Sequence, residues 1–66
     1  MLEMEWIKCA DRLPETAGHY KEYIIYQYTV QVANFEAGNW YRISNGERGM
    51  PLGNVTHWME FPPPPP

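Results

Sequence analysis

The stretch Val55–Pro66, Val-Thr-His-Trp-Met-Glu-Phe followed by five prolines, restricts the fold of this chain more than any other. Val55–Met59 is β-branched and aromatic with partial alternation, the pattern of a strand on a half-buried surface. Proline has no backbone N–H and a fixed φ, so no ladder continues through Pro62–Pro66. The strand must end near Phe61, and the chain continues as polyproline II. With Trp58 turned to the core, alternation sends Thr56 the same way and His57 and Met59 to the opposite face.

Sixty-six residues make one domain, and a chain of this size buries only about 60% of its unfolded surface. A lone cysteine, Cys9, rules out an intramolecular disulfide and reads as a small, half-buried apolar side chain. The core must come from large side chains: three Trp, five Tyr and two Phe, each able to bury about 150–250 Å². Trp6, Leu13, Ile25, Phe35, Trp40 and Trp58 are the expected core.

Glu5–Cys9 reads as a short strand anchored by Trp6. Asp11–Gly18 reads as a loop pinned by Leu13, because Pro14 holds the preceding residue extended. Tyr20–Tyr26 is rich in aromatic and β-branched residues. Thr29–Glu36 alternates, with Val30 and Val32 on one face and Gln31, Ala33 and Phe35 on the other. Gln27-Tyr28 leaves room only for a tight reversal between them. Ala37-Gly38-Asn39 is a turn in which Gly38 and Asn39 tolerate positive φ, and Trp40–Ile43 is a further strand. Short connections make residues 20–43 a meander. Ser44–Asn54, broken by Gly46, Gly49, Pro51 and Gly53, reads as a surface loop. The expected fold is all-β: a small twisted antiparallel meander of four to five short strands. Its single domain spans residues 1–61, with the polyproline tail at 62–66.

Five basic and eight acidic residues give a net charge of −3. That balance disfavours a non-specific nucleic-acid binder, which needs a basic surface to release counterions. Met1–Ala10 carries Glu3, Glu5 and Lys8 and does not read as a signal peptide. No window approaches the ~20 apolar residues of a membrane helix, so the expected place of action is the cytoplasm. The weakest reading is a metal-dependent enzyme using His19 and His57, since these have no recognised ligand spacing with Cys9 or a carboxylate. The expectation is no catalytic residue, no cofactor and no metal.

Trp6-Ile7, Asp11-Arg12-Leu13-Pro14-Glu15, Gly38-Asn39-Trp40 and Thr56-His57-Trp58-Met59 ahead of prolines resemble domain-of-unknown-function family 551. The resemblance runs over nearly the whole chain; Glu60-Phe61 stand where that family tends to have Pro-Leu. It implies a phage or prophage accessory protein and brings no catalytic residues. Joined to the excess of aromatics, it leads to a non-enzymatic protein-binding module, one that inhibits a host defence system or a host enzyme. The alternative is a nucleic-acid-associated factor using exposed aromatics and a local cluster of Arg12, Arg42 and Arg48. Tyr26, Tyr28, Tyr41, His57, Met59 and Phe61 are the candidate partner-binding residues. A host or phage protein is the expected partner, and a homodimer a further possibility. The tail has two readings: a ligand for another domain, or a lid in which Pro62 and Pro63 fold back on Trp6 or Trp40.

Overall fold

The computed structural model describes residues 5–15, 20–62 and 65. It is all-β. Six strands, β1 (Ile7–Lys8), β2 (Glu22–Gln27), β3 (Thr29–Glu36), β4 (Asn39–Ser44), β5 (Glu47–Leu52) and β6 (His57–Glu60), form one sheet. Its order is β1-β6-β2-β3-β4-β5, and each neighbouring pair is antiparallel. β2 to β5 are the meander. The Trp58 strand then crosses back and inserts between β1 and β2, with Trp58 opposite Ile7 on one side and Ile25 on the other.

Two of the reversals are two-residue turns with both φ positive: Ala37 (52°) with Gly38 (83°), and Asn45 (53°) with Gly46 (76°). This is the primed geometry that matches the twist of a hairpin. The first sits one residue earlier than the Gly38-Asn39 expectation, because Asn39 already pairs with Glu36. The second opens a strand where a loop was expected. Residues 47–52 tolerate Gly49 and Pro51 because β5 is an edge strand, the place where a sheet accepts proline. A bulge helps. The register shifts between Tyr41↔Pro51 and Ile43↔Arg48, so Gly49 and Met50 face Arg42 alone. A Cβ on Gly49 would lie 3.3 Å from the Arg42 carbonyl oxygen, which favours the residue that has none.

The core occupies one face. Tyr23, Ile25, Ala33, Phe35, Trp40 and Trp58 form it, with Ile7, Cys9, Leu52 and Val55 packed against it. Tyr23 meets Trp58 and Trp40 edge-on at 5.4 and 5.9 Å, and Trp40 lies 6.5 Å from Trp58. Strands spaced about 4.8 Å apart would place β6 and β4 about 14 Å apart in a flat sheet. The sheet therefore curls, with its concave side closed around these rings. Cys9 completes the curl: its thiol is pushed up by burial, an effect partly opposed by the Trp40 side chain beside it.

Two expected core residues lie elsewhere. Trp6 is 39% exposed and Leu13 47% exposed. In β1 the inward position belongs to Ile7, which leaves Trp6 on the other face by alternation. The 11–15 loop is held by buried Pro14 and by the Trp58 indole N–H, which donates to the Arg12 carbonyl at 2.9 Å. Of the expected lid, Pro62 is exposed and Pro63 lies outside the described residues.

Trp58 thus joins three strands and a loop. Trp58→Ala is expected to cost about 3–5 kcal/mol, enough to unfold a domain of this size in a urea titration. Ala37→Asn relieves a left-handed alanine and is expected to raise stability by about 1 kcal/mol, a gain of several degrees in Tm by calorimetry.

Candidate functional site: an aromatic corner on the convex face

The outer face of the sheet carries what the core face does not. Row by row it presents Lys8, His57, Tyr26 and Val30, then Met59, Ile24 and Val32, then Glu22, Asn34 and Tyr41. The third row is covered. Tyr20 donates from its hydroxyl to Glu22 at 2.8 Å, Arg48 stacks on Tyr41 at 4.4 Å and pairs with Glu36. Beneath them Asn34 is buried, its Oδ1 without a hydrogen-bond partner among the described residues. The first row is open.

There Trp6, Tyr26 and His57 meet. Their ring centroids are 6.2 Å apart for Trp6–Tyr26, 6.2 Å for Trp6–His57 and 6.5 Å for Tyr26–His57, at interplanar angles of 71°, 73° and 78°. The three rings alone line a cavity of about 250 Å³. Nearly perpendicular walls around a hollow form the corner of a box.

Local backbone chemistry fixes the corner. Tyr26 and His57 are directly paired across β2 and β6, and Lys8 pairs with His57 from β1. Thr56 donates its backbone N–H to the Tyr26 carbonyl at 3.1 Å, while its Oγ1 lies 2.8 Å from His57 Nδ1. That contact orients the imidazole, and Nε2 makes no hydrogen bond among the described residues. Neither the Trp6 indole N–H nor the Tyr26 hydroxyl makes a hydrogen bond among the described residues.

Of the residues singled out in the sequence, Tyr26, Tyr28 and Phe61 are exposed, while Tyr41 and His57 are half-buried. Met59 is buried at 6% exposure and serves as packing between Ile24 and the rest of the outer face. The structure brings together Tyr26 and His57 from that set and adds Trp6, which the sequence reading had assigned to the core. Arg12 lies over the Trp58 ring at 5.8 Å, and Arg48 is engaged by Glu36 and Tyr41. These arginines serve packing contacts. Among the described residues no group of three His, Cys, Asp or Glu side chains is placed to hold a metal; His19 lies outside them. No helix of the described residues is long and apolar enough to cross a membrane.

A second concave feature lies where the hairpins fork. The β3–β4 ladder runs from Glu36↔Asn39 only as far as Ala33↔Arg42. Beyond it Thr29–Val32 pair with β2 alone, and Ile43–Ser44 with β5 alone. An open cleft lies between the two hairpins, lined by residues 27–32 and 42–44.

The fold and site define a small, curled single-sheet domain with an aromatic corner on its outer face. The chain belongs to the family of proteins of unknown function DUF551, which matches residues 5–66. It is similar to an uncharacterized 7.8 kDa protein from the ral-gp17 intergenic region of Salmonella phage P22, at 35% identity over 68 residues, covering 94% of this chain and 97% of that one. It is thus a phage-associated protein. No solved structure matches it.

The corner stands apart from the core energetically. Tyr26→Ala is expected to cost only about 1 kcal/mol, the scale of cross-strand aromatic pairs. A loss as large as that of Trp58→Ala in the same urea titration would make the corner part of the core instead.

Proposed function

We propose that this domain is a non-enzymatic binding module that receives a protein partner, of host or phage origin, on its convex face. One observation carries the reading: an apolar aromatic corner, its Trp6 and Tyr26 donors unpaired among the described residues, on a face over which the described residues lay no second sheet or helix. Aromatics that supply rigid contact area with a polar tip are the residue types enriched where proteins meet. Val30, 63% exposed, extends the apolar surface beside Tyr26. Within the cytoplasm of an infected bacterium, blocking a defence protein or a host enzyme is the form such binding would take.

Photo-cross-linking tests this directly. A photoreactive phenylalanine analogue is placed at Tyr26, at Val30 or, on the same face away from the corner, at exposed Glu36, and the full chain is exposed to host lysate. The expected result is one discrete adduct from Tyr26 and Val30 and none from Glu36. Adducts of equal strength from all three positions, or none from any, would remove the reading; cross-links to nucleic acid would replace it with the nucleic-acid alternative.

A further inference from the structure

We propose that the Trp6–Tyr26–His57 corner is a proline-binding site, and that its occupant is the proline run of a second copy of this chain. The inference rests on reading the convex face as a binding face and names what its corner takes. Polyproline II segments dock on aromatic-lined surfaces because the ligand is already extended and loses little entropy on binding. Three features of the corner suit that ligand. Its three aromatic rings border a hollow of about 250 Å³, room enough for a pyrrolidine ring beside them. A proline brings no backbone N–H that an apolar hollow would leave unsatisfied. Proline carbonyls do need donors, and the Trp6 indole N–H and Tyr26 hydroxyl, both without a hydrogen bond among the described residues, stand at the rim.

The chain carries this ligand itself, and its geometry directs the ligand outward. His57 of the corner opens β6, and Glu60 closes it beside Tyr23 at the other end of β2. The strand thus travels three residues, about 10 Å, away from the corner before the prolines begin. Phe61, Pro62 and Pro65 are all exposed. Proline fixes φ, so a run of prolines favours an extended polyproline II ligand. β6 leads away from the corner of its own copy, which favours the corner of a neighbouring copy as the receptor. Donor site and receptor site are different surfaces, so association is head-to-tail and continues past the dimer.

Indole N–H resonances report on the corner one tryptophan at a time. A synthetic Phe-Pro-Pro-Pro-Pro-Pro peptide, matching residues 61–66, is titrated into the labelled full chain to millimolar concentration. The Trp6 signal is expected to move and saturate, while those of core Trp40 and Trp58 stay. Tyr26→Ala, checked for a folded spectrum, is expected to weaken the peptide at least tenfold; Trp6→Phe, which keeps a ring wall but loses the N–H, should weaken it less when followed through the Tyr26 ring. Without added peptide, the Trp6 signal of the full chain should shift with protein concentration, and deleting Pro62–Pro66 should abolish that dependence. Sedimentation should show species larger than a dimer for the full chain only. An unmoved Trp6 at saturating peptide overturns the proposal, as does a difference between full and shortened chains that persists unchanged on dilution, since that places the tail on its own corner. If the peptide fails while Tyr26 still cross-links a discrete protein, the proline assignment falls and the binding-module reading stands.

Discussion

The edge-on stack of Tyr23 between Trp58 and Trp40 is the contact on which the rest of the molecule depends. Among the described residues a single sheet of six short strands has no second sheet or helix to bury its apolar face against, and an isolated flat sheet of this size is at best marginal. Much of the cover for that face comes from the sheet itself, with the 11–15 loop at Trp58. Curling brings β6 and β4 close enough for their tryptophans to meet, and Tyr23, on the strand beside β6, fills the space between them. The Trp58 indole also needs a hydrogen-bond partner once buried. It finds one in the Arg12 carbonyl, which fixes the long loop between β1 and β2. One aromatic cluster therefore sets curvature, closure and loop position together.

Much of this was legible in the chain. The alternation in residues 29–36, the turn at 37–39 and the breakdown of the ladder at Pro62 follow from local stereochemistry, and the meander followed from them. Residues 47–52 escaped because Gly49 and Pro51 look like breakers when the position of a strand in its sheet is unknown. An edge strand with a bulge accepts both, and edge status is a property of the whole sheet. Trp6 was misplaced for a related reason. Size alone recommends a tryptophan for the core, but in a two-residue strand a one-residue change of phase moves it to the other face, and Ile7 holds the inward position opposite Trp58. Leu13 lost its place to Pro14 on the same scale. The sequence did point to Tyr26 and His57, yet not to their meeting Trp6. That juxtaposition requires β6 to insert between β1 and β2, a long-range pairing with no local signature.

Both ends of the sheet discourage further strand pairing. β1 has two residues, and β5 carries a proline and a bulge; short edges, prolines and bulges are the devices by which sheets avoid edge-to-edge aggregation. Growth by strand addition at those edges is therefore suppressed. The fork between the two hairpins is different: Thr29–Val32 lack a partner on the β4 side, but the opposing Ile43–Ser44 hairpin limits access to a cleft rather than an open edge. Side-chain surfaces such as the convex aromatic corner are not subject to that restraint.

The corner gives up burial that a place in the core would provide. A domain this small is close to its stability limit, and a fully buried aromatic removes about 150–250 Å² from water, worth several kcal/mol at about 25 cal/mol per Å². Yet Trp6 and Tyr26 remain some two-fifths exposed, touching each other and an imidazole held in place by Thr56. Their edge-to-face contacts recover only part of what burial in the core would contribute. The same three rings turned flat against the sheet would cover more of its surface and leave no hollow. Standing nearly perpendicular, they leave ring faces turned to a shared empty space, and the free energy forgone in the monomer is available to whatever fills it.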